Sequence, residues 1–200
     1  MITKDPIIET QPLLSVELIP TTCFFSNVRT NVKSKDWDKI RHISYAAAGH
    51  KCEVCKGLGK KQGFKHNLEC HEIWEYDDVN HIQKLIGLIS LCPRCHMVKH
   101  IGRAIAIGKE RECIRQLALV NGWTKDLIDN HINEAYETHR QRSEHEWSLD
   151  ISILSEAPYE LKINTTKERI FKVKKYKKKR RGKKTKGKRK SGLNRRPSRY

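Results

Sequence analysis

Four cysteines in two tight pairs constrain this chain more than any other feature. They read Cys52-x2-Cys55-x36-Cys92-x2-Cys95. Two thiolates two residues apart can grip one ion from a single turn, and two such turns complete the tetrahedral shell of Zn²⁺. Sulfur at all four positions leaves no open coordination site, so the expected zinc is structural. The gap of 36 residues is longer than in common zinc ribbons. A further structure is therefore expected between the knuckles, its two ends clamped together by the ion. The chain has seven cysteines, an odd number, and Cys-x-x-Cys pairing suits metal binding in a reducing compartment better than a disulfide framework. Cys23 and Cys113 read as ordinary buried thiols.

Charge is placed just as unevenly. Residues 161–200 hold 20 of the 41 Lys and Arg but one of the 23 acids, Glu168. The first 160 residues carry the other 21 basic and 22 acidic residues and are near neutral. A body long enough to bury a modest core thus precedes a tail that can bury almost nothing. The run KVKKYKKKRRGKKTKGKRK at 172–190 repels itself and is expected to be disordered and solvated, with a polyanion as its natural partner. Each neutralised phosphate releases counterion, giving sequence-independent, salt-dependent binding. Lys177, Lys178, Lys179, Arg180, Arg181, Lys183 and Lys184 are the expected contacts. DNA is the leading partner and RNA the second. No membrane is expected: no apolar run approaches the roughly 20 residues of a span, and no apolar anchor accompanies the charge. The start, MITKDPIIETQPLLSVELIP, lacks the basic opening and unbroken apolar stretch of a secretory signal. A cytoplasmic location is expected.

Pro6, Pro12 and Pro20 make residues 1–33 an extended or irregular N-terminal segment. A helix is predicted over 35–48, capped by Ser34. A strand follows from His66 to Tyr76, with Leu68, Cys70, Glu72 and Trp74 on one face and Glu69, His71 and Ile73 on the other. An acidic turn at Asp77-Asp78 leads to a second, buried strand over 85–91. A helix starts near His96. Two more run from about Lys109 to Val120 and onward from a Thr124 cap, and Trp147 to Leu154 alternates as a strand would. The expected fold class is α+β: a zinc-stabilised domain over 34–160, between the N-terminal segment and the tail at 161–200.

The insert contains Leu68-Glu-Cys-His-Glu-Ile73, and the second knuckle reads Leu91-Cys-Pro-Arg-Cys-His96, followed by Lys99 and His100. With these residues, the stretch from Cys52 to His100 resembles the HNH, or ββα-metal, endonucleases of the phage and bacterial subgroup that carries a Cys-x-x-Cys pair at each end. The wider likeness spans about residues 22–154 and includes the Trp37 helix, ECHEIWEYDD and GLISLCPRCHMVKHIG. It implies a ββα-metal core over 50–102, in which a β-hairpin packs on a helix. It also implies hydrolysis of DNA phosphodiester bonds with one catalytic divalent metal (Mg²⁺, Mn²⁺, Ni²⁺ or Zn²⁺) held by His71 and His96. Glu72 stands where the family has its general-base His, and Gly87 lies near where it often has Asn.

Two registers stay open at this point. Either His71 is a metal ligand and Glu72 the base, or His71 is the base and Glu69 helps bind metal. Lys99 is a candidate phosphate contact or an exposed, solubilising lysine, and His100 a supporting residue. Two rival readings accompany the nuclease. One is a zinc protein of the same fold that binds DNA or RNA without cutting. The other, from the tail alone, is an RNA- or ribosome-associated factor.

Overall fold

The computed structural model describes residues 13–163. The polybasic run, with Lys177, Lys178, Lys179, Arg180, Arg181, Lys183 and Lys184, lies outside the described residues. The architecture is α+β, with six α-helices and three strands among the described residues.

Strands β1 (Glu69–Asp77) and β2 (Ile82–Leu91) form an antiparallel hairpin. Asp77 closes its turn, Oδ1 accepting from the N–H groups of Val79 and Asn80 at 3.0 and 2.9 Å. Pairing runs from Glu69↔Leu91 to Ile73↔Gly87, then from Trp74↔Leu85 to Asp77↔Ile82. The bulge between these two registers leaves Ile86 without a partner residue and largely exposed. A short β3 (Ser148–Asp150) lies parallel to β2. The strand predicted over 147–154 stops there because Asp150 Oδ1 accepts from the Ser152 N–H at 2.9 Å and turns the chain into a 3₁₀ turn over Ser152–Ser155.

Helices α1 (Val28–Asn31) and α2 (Ser34–Ala47) lead into the first knuckle. Ser34 is the first helical residue rather than the cap, a position taken by Lys33 without a side-chain bond. Ser44 Oγ and Ser90 Oγ, 2.7 Å apart, bolt α2 to β2. Helix α3 (Pro93–Lys99) begins three residues before His96, since a first-turn proline has its φ preset and no N–H to lose. Beyond it come α4 (Ile101–Ala106), α5 (Glu110–Asn121) and α6 (Lys125–Arg142). Gly122 ends α5 at φ 68°, which glycine adopts without strain, and Thr124 Oγ1 caps α6 by accepting from the Leu127 N–H at 3.4 Å.

The sheet separates two cores. One joins Leu91, Val98, Ile101, Leu117 and Ile128 with Cys52, Cys92 and Cys95. The other joins Val28, Ile40, Leu85 and Leu154. The N-terminal segment does not stand apart, because Leu14 and Val16 are buried in the first core. Leu14, Val16 and Leu18 alternate with polar residues and so need a surface to cover. The Asn121 side chain brackets Leu14 through both amide atoms (3.0 and 2.7 Å), and Val16 N–H donates to His131 Nε2 at 2.9 Å. Residues 13–19 are thus a strap across α5 and α6. Among the described residues no helix is long and apolar enough to cross a membrane.

Candidate metal centres

Folding brings the four knuckle sulfurs together, every pair of Sγ atoms within 4.8 Å. Local structure makes this possible. Lys56, at φ 57°, turns the chain so that its N–H reaches Cys52 O at 2.9 Å, while the Cys55 N–H points at Cys52 Sγ at 3.5 Å. Glu53 then clips this turn to the end of β2: its N–H donates to Ser90 O at 2.9 Å, and its Oε1 accepts from the Ser90 N–H at 2.7 Å. Ser90 is two residues from Cys92, so the clip holds one knuckle against the other. Gln116 of α5 donates to Cys95 Sγ at 3.2 Å.

Four thiolates this close repel one another. Hydrogen bonds from Cys92 and Cys95 pull the Cys52 thiol far below its ordinary pKa, and those same bonds push Cys92 up to about 11 and Cys95 higher still. Full deprotonation of the set therefore needs a cation among the sulfurs. The donor set, its burial and its backbone N–H···S contacts fit a structural metal such as zinc.

A second cluster lies on the face of β1 turned toward α3. Nitrogen atoms of His71, His96 and His100 fall within 4.8 Å of one another, and the Nε2 atoms of His96 and His100 are 3.2 Å apart. The ring centroids are separated by 4.6 to 5.3 Å, all edge-on. His71 comes from the middle of the hairpin, whereas His96 and His100 are one helical turn apart at the end of α3.

Carboxylates sit behind two of these rings. Glu69 Oε2 meets His96 Nδ1 at 3.0 Å, which leaves His96 Nε2 facing the cluster. Glu17 Oε2 meets His71 Nε2 at 3.1 Å. This carboxylate–imidazole pairing is the arrangement that orients metal-binding histidines. Burial lowers the pKa of His71 and brings His100 down to about 3, so both rings are neutral near pH 7 with lone pairs free to bind a cation. The hydrogen bond from His96 holds Glu69 at about 2. Burial alone would raise Glu17, but the His71 hydrogen bond and the Lys99 charge outweigh it and bring that carboxylate to about 2 as well.

Two expectations need correction. Lys99 is neither exposed nor free to meet a phosphate: it is 7 % exposed, with Nζ bound to Glu17 Oε1 and, at 2.9 Å, to Ser15 Oγ. The strap reaches over α3 and takes this lysine for itself. Glu72 follows His71 in the strand and leans toward α1, although it still borders the same cleft as the histidines. Its Oε1 accepts from the Val28 N–H at 2.7 Å, at the start of α1. Burial raises its pKa against the pull of the Val28 and Arg29 N–H groups. In this arrangement Glu72 Oε1 serves as an acceptor for the start of α1.

Glu17 joins the site from outside the sequence reading, and His100, expected there only as a supporting residue, stands within the cluster itself. His100 carried a legible signal, its four-residue spacing from His96. Glu17 carried none, because nothing in the strap announces that it lies over β1. The cluster opens into a cleft of about 1240 Å³, bounded by Trp37, Arg41 and Tyr45 of α2 as well as by Glu17 and Glu69. Comparison of this chain with family models, with curated proteins and with solved structures gave no match.

Proposed function

We propose that this chain is a metal-dependent phosphodiester hydrolase of the HNH type that acts on nucleic acid, with DNA as the leading substrate. The observation that carries the reading is the convergence of His71, His96 and His100 at the base of an open cleft. Strand, helix and the paired cysteine knuckles hold them there, in the order the HNH resemblance implies. In this reading Cys52, Cys55, Cys92 and Cys95 hold structural Zn²⁺. The three imidazoles hold a separate divalent cation (Mg²⁺, Mn²⁺, Ni²⁺ or Zn²⁺).

Such a cation would supply charge stabilisation for the phosphate and the leaving oxygen and would acidify bound water. The chain's own part is positional. Glu69 fixes the ring of His96 through Nδ1 and so commits Nε2 to the cleft. Glu17 accepts from His71 Nε2 and so commits its Nδ1 to the cleft. Lys99 neutralises Glu17, so the carboxylate pair does not overwhelm the site with negative charge. The C-terminal polybasic run would raise residence on nucleic acid without choosing a sequence.

Nicking of supercoiled plasmid tests the reading. Wild type with Mg²⁺, Mn²⁺ or Ni²⁺ should convert supercoiled DNA, in which negative supercoiling favours unpaired stretches, to open-circular DNA. His71→Ala, His96→Ala and His100→Ala should each abolish conversion while remaining folded. A second reading, a zinc-stabilised protein that binds DNA or RNA without cutting it, is favoured by the capping role of Glu72, which leaves the family's base position unfilled. Retained binding with no nicking under any metal selects it.

A further inference from the structure

Phe24 and Phe25 are 69 % and 67 % exposed, side by side, with ring centroids 5.4 Å apart. Exposed large apolar pairs are informative where a lone exposed residue is not. This pair is held out by ordered backbone. Ser26 N–H donates to Cys23 O at 2.7 Å, Thr30 Oγ1 donates to Phe25 O at 2.8 Å, and Thr21 and Thr22 tie the preceding turn to Ser143 and His145 beyond α6. Phe24 lines the same cleft as the three histidines, together with Trp37 and Tyr45.

Arg29, Arg41 and Arg103 also line that cleft. Among the described residues the arginines in ion pairs are Arg41, Arg140 and Arg142, which leaves Arg29 and Arg103 without a carboxylate. The acids of the lining are already engaged: Glu17 by Lys99 and His71, Asp38 by Arg41, Glu69 by His66 and His96, and Glu72 by the Val28 N–H. What the cleft offers an incoming ligand is therefore aromatic faces and unpaired guanidinium groups. That is the chemistry of unstacked bases on a phosphate backbone. A duplex hides its base faces and would leave the phenylalanines without a use.

We propose that the cleft takes an unpaired nucleic-acid strand, with Phe24 as the platform on which one base stacks and Arg29 and Arg103 as its phosphate contacts. The proposal rests on the nucleic-acid reading of the site and names the form of substrate it accepts.

Equilibrium binding of the full chain to a short single strand, and to the duplex of the same sequence, tests it. Raised salt suppresses the contribution of the polybasic run, and no divalent cation is added. Wild type should bind the single strand more tightly. Phe24→Ala should weaken that binding about tenfold, the scale of one lost base stack, and leave duplex binding and the melting temperature unchanged. Phe24→Trp should restore it. Duplex preference in wild type overturns the proposal, as does single-strand affinity that ignores Phe24→Ala or a loss shared equally by both forms. Nicking is scored separately. A protein that cuts nothing yet loses single-strand affinity with Phe24→Ala keeps this inference and ends the hydrolytic one; an active protein indifferent to Phe24 does the reverse.

Discussion

The Nε2 atoms of His96 and His100 lie 3.2 Å apart, one turn from each other at the end of α3. At that distance either one ring donates its N–H to the other, or both turn a lone pair toward a shared cation. Burial disfavours the charged form of His100 and brings its pKa down to about 3, so at neutral pH it offers a nitrogen that a divalent cation can take in exchange for that hydrogen bond. Calorimetric titration of zinc-replete protein with Ni²⁺ or Zn²⁺ should therefore show one further site per chain. His100→Ala should remove it without lowering the melting temperature. Unchanged stoichiometry in that variant would take His100 out of the centre.

Glu69 and Glu72 are three residues apart in one strand yet do different things, and their variants should separate cleanly. Glu69→Gln removes the charge behind His96 and should weaken the divalent site by about 10- to 100-fold, the usual effect of losing such a partner. Glu72→Gln, which keeps the acceptor oxygen, should leave that affinity alone, whereas Glu72→Ala should cost about 1–2 kcal/mol of stability by leaving the Val28 N–H without its partner. A metal-affinity loss with Glu72→Gln equal to that with Glu69→Gln would return Glu72 to the site.

By sequence Lys99 was as much an exposed, solubilising lysine as a phosphate contact, and the strap buries it against Glu17 and Ser15. Lys99→Met should lower stability by about 1–3 kcal/mol. That is less than a wholly buried pair would lose, because the Glu17 side chain is 36 % exposed and partly screened by water. The salt dependence of DNA binding should not move, since no phosphate contact is lost. A flatter salt slope would show that Lys99 reaches nucleic acid after all. Combining Lys99→Met with Glu17→Gln should recover part of the stability, because the stranded carboxylate is removed.

Short-range signals were readable and long-range ones were not. Knuckle spacing, the periodicity of α2, the Gly122 stop and the Thr124 cap are all local, and α2, β1, β2 and α5 lie within a few residues of their expected bounds; α1 falls in a segment expected to be irregular, and β3 ends four residues early. Alternation along β1 put Glu69 and His71 on one face and Glu72 on the other; the motif alignment gave no sign that Glu72 would be engaged by the Val28 N–H. Which residues meet across the sheet is another matter. Glu17 reaches His71 over 54 positions and Asn121 reaches Leu14 over 107. Such pairings are decided by how the strap lies across α5 and α6, which no local pattern encodes. Lys99 shows the same limit: a lysine at the end of a helix reads as solvent-facing until the partner that buries it is known.

The cysteines offer a test in which sign and count are both fixed. Cys23, Cys70 and Cys113 stand outside the knuckles, and burial pushes each thiol up to about 11. A raised pKa means that the reactive thiolate is scarce below it, roughly one part in a thousand at pH 8, and grows only as pH climbs toward 11. Metal-held thiolates in the knuckles are shielded as well, so native protein should react slowly with a thiol-specific reagent at every cysteine. A strong chelator changes this in one step. Loss of the ion removes the clamp between Cys52–Cys55 and Cys92–Cys95, and the hydrophobic core that shares Cys52, Cys92 and Cys95 should open with it. All seven thiols should then become reactive together with loss of the folded circular-dichroism signal. Four thiols reacting ahead of the other three, with the fold retained, would show that the knuckles decorate a core able to stand without them.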